Sequence, residues 1–285
     1  MELRTAASPR DVIHYDTRRL REEFLVQGLF TPTLRLVYSH IDRIIIGGVA
    51  PTEPVILPGG KELGSDYFCQ RRELGVLNLG GKGRIRVDGT TYEISFREGM
   101  YIGMESRDIV FESVDAKEPA KFYMLSSPAH RKCPTVVIRP EGEAAPGVVI
   151  VKDENKVALG SLKTSNSRTI CKYIVPGQVE SCQLCMGITT LNEGSVWNSM
   201  PCHTHDRRME VYMYFGLSPE DFVMHYMGEP TETRHIVMRN EEAVISPSWS
   251  IHAGSGTSAY AFVWGMCGEN QLFDDMDHVG MSELL

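Results

Sequence analysis

Two histidines, His203 and His205, stand two residues apart, and Glu210 follows five residues after the second. All three lie in Pro201–Gly216, PCHTHDRRMEVYMYFG. The run from Glu210 to Phe215 is aromatic and β-branched, which reads as a strand. On a strand, residues i and i+2 leave the same face, so His203 and His205 can point two imidazoles at one spot. Neutral imidazole is a common metal ligand, and a carboxylate completes a mixed nitrogen–oxygen site. Glu210 is an odd number of residues from both histidines and would face away on an unbroken strand. If all three meet, the chain must turn or bulge within Asp206–Arg208. A surface His-Thr-His with an ordinary strand glutamate behind it would show the same spacing.

A fourth residue changes that balance. In Ser246–His252, SPSWSIH, a proline turn leads straight to His252 and another strand-like segment. The combined pattern, H-x-H-x4-E followed at a distance by P-x-W-x-x-H, resembles the two signature motifs of the cupin superfamily. That resemblance implies a small β-barrel in which His203, His205, Glu210 and His252 bind one metal. Two departures stand out: Trp249 sits where glycine is usual, and no asparagine follows His252 at the usual distance. Trp249 is expected to reshape the pocket mouth.

Composition bounds the rest. The chain has 285 residues, 42% of them hydrophobic, enough for one large domain or two ordinary ones. Its net charge of −8 argues against a general nucleic-acid or anionic-membrane binder. The N-terminus is charged throughout, with no secretory apolar stretch, and no apolar run is long enough to span a bilayer. Seven scattered cysteines then read as reduced thiols of a cytoplasmic protein. Cys182 and Cys185 form a C-x-x-C with no second pair, and Cys202 has the wrong strand parity to join His203.

The elements that must position the site are strands. An N-terminal lead-in, residues 1–30, has helical character, with Asp16 as cap and apolar positions at Leu20, Phe24 and Leu25. Short β-branched runs with glycine punctuation follow, including a D-G hairpin turn at Val87–Thr90. Residues 31–135 read as one barrel, 136–165 as a Pro/Gly-rich linker, and 166–285 as a second barrel with an acidic tail closing over it. The halves echo each other. Arg71–Leu77 resembles Arg207–Met213 with one residue inserted, and Glu98–Ile102 resembles Glu242–Ser246. The expected fold is therefore all-β, two tandem cupin-type barrels behind a short helical lead-in. The first barrel is expected to be metal-free, because no H-x-H precedes Glu73.

Six strings extend the likeness over nearly the whole chain: Val37–Arg43, Arg71–Val76, Met200–His205, Glu232–Met238, Ala243–His252 and Gly268–His278. Together they resemble the 5-keto-4-deoxyuronate isomerase family, with Ser167 standing where an arginine is expected. The resemblance implies a zinc-dependent, homo-hexameric bicupin of pectin and uronate breakdown, with one Zn2+ per chain. The implied reaction is an aldose–ketose isomerisation through an ene-diol, converting 5-dehydro-4-deoxy-D-glucuronate to 3-deoxy-D-glycero-2,5-hexodiulosonate. The same donors suit manganese, iron, cobalt or nickel. Four protein ligands would ask for five-coordination or a ligand that yields to substrate. A carboxylate substrate needs a cation, for which Arg168, Lys172, Arg207, Arg208 and Arg234 are candidates, and Tyr212 can line the pocket. Asp206, His225, His235, Asp275 and His278 are possible bases by type, with nothing in the sequence to choose among them. The competing readings are an iron-dependent cupin dioxygenase and a non-catalytic, metal-bound, sugar-binding bicupin.

Overall fold

The computed structural model describes all residues, 1–285, and divides the chain into two compact units. The first unit comprises Met1–Arg4, Gly28–Lys152 and Tyr173–Cys185. Its larger sheet has eight strands, in the order Glu2–Arg4, Arg35–Ser39, Ile45–Val49, Phe122–Pro128, Arg72–Asn78, Gly99–Ile102, Val136–Arg139 and Val148–Ile150. A four-stranded sheet runs Thr90–Ile94, Gly83–Val87, Ile109–Ser113 and Val55–Ile56. Asp88 and Gly89 both take positive φ, 48° and 83°, the backbone that a two-residue D-G hairpin turn requires. Side chains from both sheets, among them Leu74, Val76, Met100, Phe111 and Phe122, fill one continuous apolar core.

The second unit comprises Thr5–Gln27, Asp153–Lys172 and Met186–Leu285. Its sheet of seven strands runs Lys156–Leu159, Arg168–Ile174, Cys185–Leu191, Ala261–Gly268, Arg208–Phe215, Glu242–Ser246 and Leu25–Val26. A four-stranded sheet runs Trp197–Asn198, Ala253–Gly256, Val223–Glu229 and Glu232–Met238. The two sheets meet through their inner faces, where the Tyr214 hydroxyl lies 2.8 Å from His225 Nδ1. No helix is long and apolar enough to cross a membrane.

Both segments read as connectors carry regular structure. Within 136–165 lie the strands Val136–Arg139, Val148–Ile150 and Lys156–Leu159, the last two at sheet edges, so the prolines and glycines there punctuate short strands at or next to an edge. The lead-in is divided, its first strand Glu2–Arg4 pairing in parallel with Arg35–Ser39 of the first unit. Its helix Thr17–Phe24 is capped by Asp16, which accepts from the Arg19 amide at 2.8 Å. The helix buries Leu20 and Phe24, and Leu25–Val26 then adds an edge strand to Glu242–Ser246. Trp249 packs its ring edge-on to Phe24, with centroids 6.4 Å apart, so this residue anchors the helix and not the pocket mouth.

The internal repeat is clearer in strand register than in sequence. Leu74 lies opposite Ile102, and Glu210 lies opposite Ser246, at the matching ends of matching strand pairs. Leu74 therefore takes the place of Glu210, with no inserted residue, and it points into the apolar core. Glu73, one residue earlier, points the other way, because side-chain direction alternates along a strand. Its buried carboxylate accepts five hydrogen bonds, from the Tyr101 and Ser127 hydroxyls and the backbone amides of Cys182, Gln183 and Leu184. That carboxylate secures a chain segment and has no imidazole beside it. Glu73→Ala is expected to strip partners from several buried donors and to lower the unfolding free energy by about 3 kcal/mol or more. Urea unfolding reads that loss, while metal bound per folded chain stays unchanged.

Candidate metal centre

The strand His203–Thr204 ends at a turn through Asp206 and Arg207, closed by the Arg208 amide donating to the His205 carbonyl at 3.3 Å. The strand Arg208–Phe215 starts there with its parity reset, so Glu210 comes round to face His205. His252 arrives from a second turn, where the Ser250 amide donates to the Pro247 carbonyl at 2.9 Å. It stands just before the strand Ala253–Gly256 of the other sheet. The centre thus lies between the unit's two sheets, and all four side chains are buried.

One ligand atom from each of His203, His205, Glu210 and His252 falls within a 4.8 Å cluster. Glu210 Oε2 is 2.8 Å from His252 Nε2 and 3.2 Å from His205 Nε2, and the Nε2 atoms of His252 and His203 are 2.9 Å apart. His205 Nδ1 lies 2.9 Å from the Arg208 carbonyl, which can only accept. The Nδ1 proton goes there, and Nε2 is left with a bare lone pair aimed at a carboxylate oxygen. Two acceptors facing each other out of water repel, and a cation between them removes the conflict. These four residues can hold a metal ion.

The electrostatics agree with that assignment. Burial holds His203 neutral, with its pKa pushed down to about 2, and His252 and His205 add to the effect against the pull of Glu210. Burial alone would raise the Glu210 carboxyl, but His252 and His205 more than offset it and keep it below the usual carboxylate range. Burial, then His252, pushes His225 down to about 3. A neutral His203 beside an ionised carboxylate belongs to the donor set that divalent transition metals take.

A cavity of about 410 Å³ opens onto His203 and Glu210. Tyr212, Trp264 and Phe262 form its inner wall, and Phe273, Asp274, Met276 and His278 its outer one. Gly187 makes room for the Trp264 ring, since a Cβ there would collide with the indole. Arg168 is the one arginine or lysine in the lining. Its Nη1 donates to the Asn166 carbonyl at 2.8 Å, and burial lowers its pKa against the pull of Tyr212 and Tyr260. The Tyr212 hydroxyl, held protonated by burial and the nearby Glu210, is 2.9 Å from Ser199 Oγ.

The other cations expected at the substrate are engaged elsewhere. Arg208 is 1% exposed and donates to the carbonyls of Asn270, Leu272, Phe273 and Asp275 at 2.6–3.3 Å. It shapes the cavity wall from behind. Arg207 pairs with Asp275 and Asp277, both at 2.8 Å. Lys172 rests its ammonium 3.8 Å from the Phe273 ring centroid, outside the lining. Arg234 lies on the Glu232–Met238 strand, paired with Glu232 at 2.7 Å and donating to the Ile13 carbonyl. A strand sequence does not reveal which arginine will meet a run of carbonyls distant in the chain. Sequence reasoning also missed Ser199, Thr189, Trp264 and Asp274 in the lining. The one available signal for Asp274 was the acidic tail expected to close over the barrel.

Comparison with known proteins matches the whole chain. The profile of the KduI/IolB family aligns with residues 24–281. A protein of Lachnoclostridium phytofermentans named 4-deoxy-L-threo-5-hexosulose-uronate ketol-isomerase is 62% identical, covering 100% of both chains. One of the same name from Escherichia coli is 52% identical, again over 100% of both. Among solved structures, an IolB-like protein from Salmonella typhimurium superposes with a TM-score of 0.63 at 12% identity, over 83% of this chain and 86% of that one. Bacillus subtilis oxalate decarboxylase gives 0.53 at 8% identity, over 82% and 71%. These distant likenesses establish the cupin fold, and the two high identities and the profile establish kinship: the chain belongs to the KduI/IolB family.

Proposed function

We propose that this chain is a 4-deoxy-L-threo-5-hexosulose-uronate ketol-isomerase, interconverting 5-dehydro-4-deoxy-D-glucuronate and 3-deoxy-D-glycero-2,5-hexodiulosonate. The observation that carries the reading is 62% identity, end to end, with a relative of that name. The site is consistent with it. His203, His205, Glu210 and His252 hold the metal, and zinc is our assignment for this three-nitrogen, one-oxygen donor set. A bound divalent ion supplies Lewis-acid stabilisation of the charge that builds on the substrate oxygens as the C2–H bond breaks. Arg168 meets the substrate carboxylate, because it is the lone arginine or lysine facing the cavity and a guanidinium pairs with a carboxylate in two hydrogen bonds. Tyr212 stays protonated and offers its hydroxyl to a sugar oxygen. The first barrel, whose core fills the matching position with Leu74, is a structural unit. Cytoplasmic location, read from the charged N-terminus and the scattered cysteines, completes the proposal together with a homo-hexamer and a place in pectin and uronate breakdown, these two by family resemblance.

Elemental analysis should find one metal per chain, and His252→Ala should lose most of it together with turnover of the deoxyuronate. Two metals per chain would contradict a structural first barrel.

Arg168→Met should raise KM for the deoxyuronate by about 10- to 100-fold, the loss of a charge-assisted pair, with a smaller change in kcat. An unchanged KM would remove Arg168 from the carboxylate.

Acid should destabilise the site with a definite sign. His203 and His225 are neutral when folded, with values near 2 and 3, whereas unfolded histidine titrates near 6.5. Below about pH 6.5 the unfolded chain binds more protons, so stability falls steadily as pH drops through that window. Metal should therefore be lost to a chelator faster at about pH 5 than at about pH 7.5. Equal retention at both would contradict a histidine-rich site.

A further inference from the structure

The tail stretch Asn270–His278 holds three aspartates, and the fold treats them differently. Asp275 receives Arg207 Nε at 2.9 Å and Asn270 Nδ2 at 2.8 Å, and Asp277 receives Arg207 Nη2 at 2.8 Å. Asp274 has no hydrogen bond or ion pair to its carboxylate, and it lines the cavity that reaches His203 and Glu210. Glu210 is the cavity's other carboxylate, and it is committed to two imidazoles. Arg208 fixes this segment by its backbone, taking the carbonyls of Asn270, Leu272, Phe273 and Asp275. With those carbonyls held, the half-buried Phe273 and the exposed Asp274 both border the cavity. Phe273 is braced besides, with Trp264 at a centroid distance of 5.2 Å and the Lys172 ammonium on its ring.

The remaining groups able to move a proton are badly placed. Asp206 and His235 are absent from the lining. His225 is fully buried behind it, against the Tyr214 hydroxyl. His278 lines the cavity, but its ring abuts His203, with centroids 6.1 Å apart.

We infer that Asp274 is the acid–base catalyst that carries the proton between C2 and C1 of the sugar. This rests on the ketol-isomerase reading. The Asp274 carboxylate takes the C2 proton, and the C–H electron pair becomes the C1=C2 double bond. The C1=O1 pair moves onto O1, which receives the proton of the C2 hydroxyl. The C2=O2 bond then forms, and the double-bond pair takes the proton back from Asp274 at C1. Bonds and protons balance, and no oxidant or reductant enters. Arg208 acts through Asp274 as a positioning residue.

The test uses the full-length, metal-loaded enzyme in heavy water with the deoxyuronate. Asp274→Asn should lower kcat by about 10²- to 10⁴-fold, the usual contribution of general acid–base catalysis, with metal content intact and KM shifted little. The rate at which solvent deuterium enters the carbon that was C1 should fall in the same proportion. Added formate should restore part of the rate to Asp274→Ala, which a merely structural role would not permit. An active wild type with Asp274→Asn unimpaired, or with the loss appearing in His278→Gln instead, overturns the role of Asp274 alone. A metal-loaded wild type inert toward the deoxyuronate overturns the isomerase reading and this inference together.

Discussion

An ionised carboxylate and three imidazole nitrogens, sealed from water within 4.8 Å of one another, cannot be at rest by themselves. Each bare lone pair costs free energy when buried without a donor. The protein accepts that conflict because the rest of the second unit is arranged to fix it in place. The Arg208 carbonyl sets the His205 tautomer, the Asp206–Arg207 turn brings Glu210 to the same face, and the Pro247 turn delivers His252 from the opposite sheet. A cation bound there would turn that conflict into a tie, since it would bind the folded arrangement and not the open chain.

Arg208 joins the centre to the cavity wall. Its carbonyl orients a ligand, and its guanidinium holds the backbone of the acidic tail. Four carbonyls engage both terminal nitrogens of this buried guanidinium without any carboxylate, while its Nε has no partner. Its neighbour Arg207 faces outward and binds two of the tail's aspartates. Adjacent residues, the last of the turn and the first of the strand, thus divide the work of fastening the same segment, one through side chains and the other through main chain.

Much of this was legible beforehand, and the boundary has a physical basis. The cluster of His203, His205, Glu210 and His252 read well because spacing maps directly onto strand parity, so the odd offset of Glu210 already demanded the turn at Asp206–Arg207. The D-G hairpin and the Asp16 cap are likewise local, decided by a few consecutive residues. What failed was non-local. The segment 136–165 looked like a linker because short strands at or next to an edge carry the same prolines and glycines as loops. Glu73 was matched to Glu210 through similar letters, whereas strand register pairs Leu74 with it. Arg208 and Arg234 had the right charge for a substrate, but their partners lie scores of residues away, where sequence offers no guide.

The cavity wall carries a consequence for where the chain is vulnerable. A hollow of about 410 Å³ is lined in part by a segment tied down through Arg207 and Arg208. Loss of either arginine would be felt at Phe273 and Asp274 in the lining, some sixty residues further along the sequence. A substitution that touches neither the cavity nor the His/Glu cluster would in this way alter the shape of the pocket.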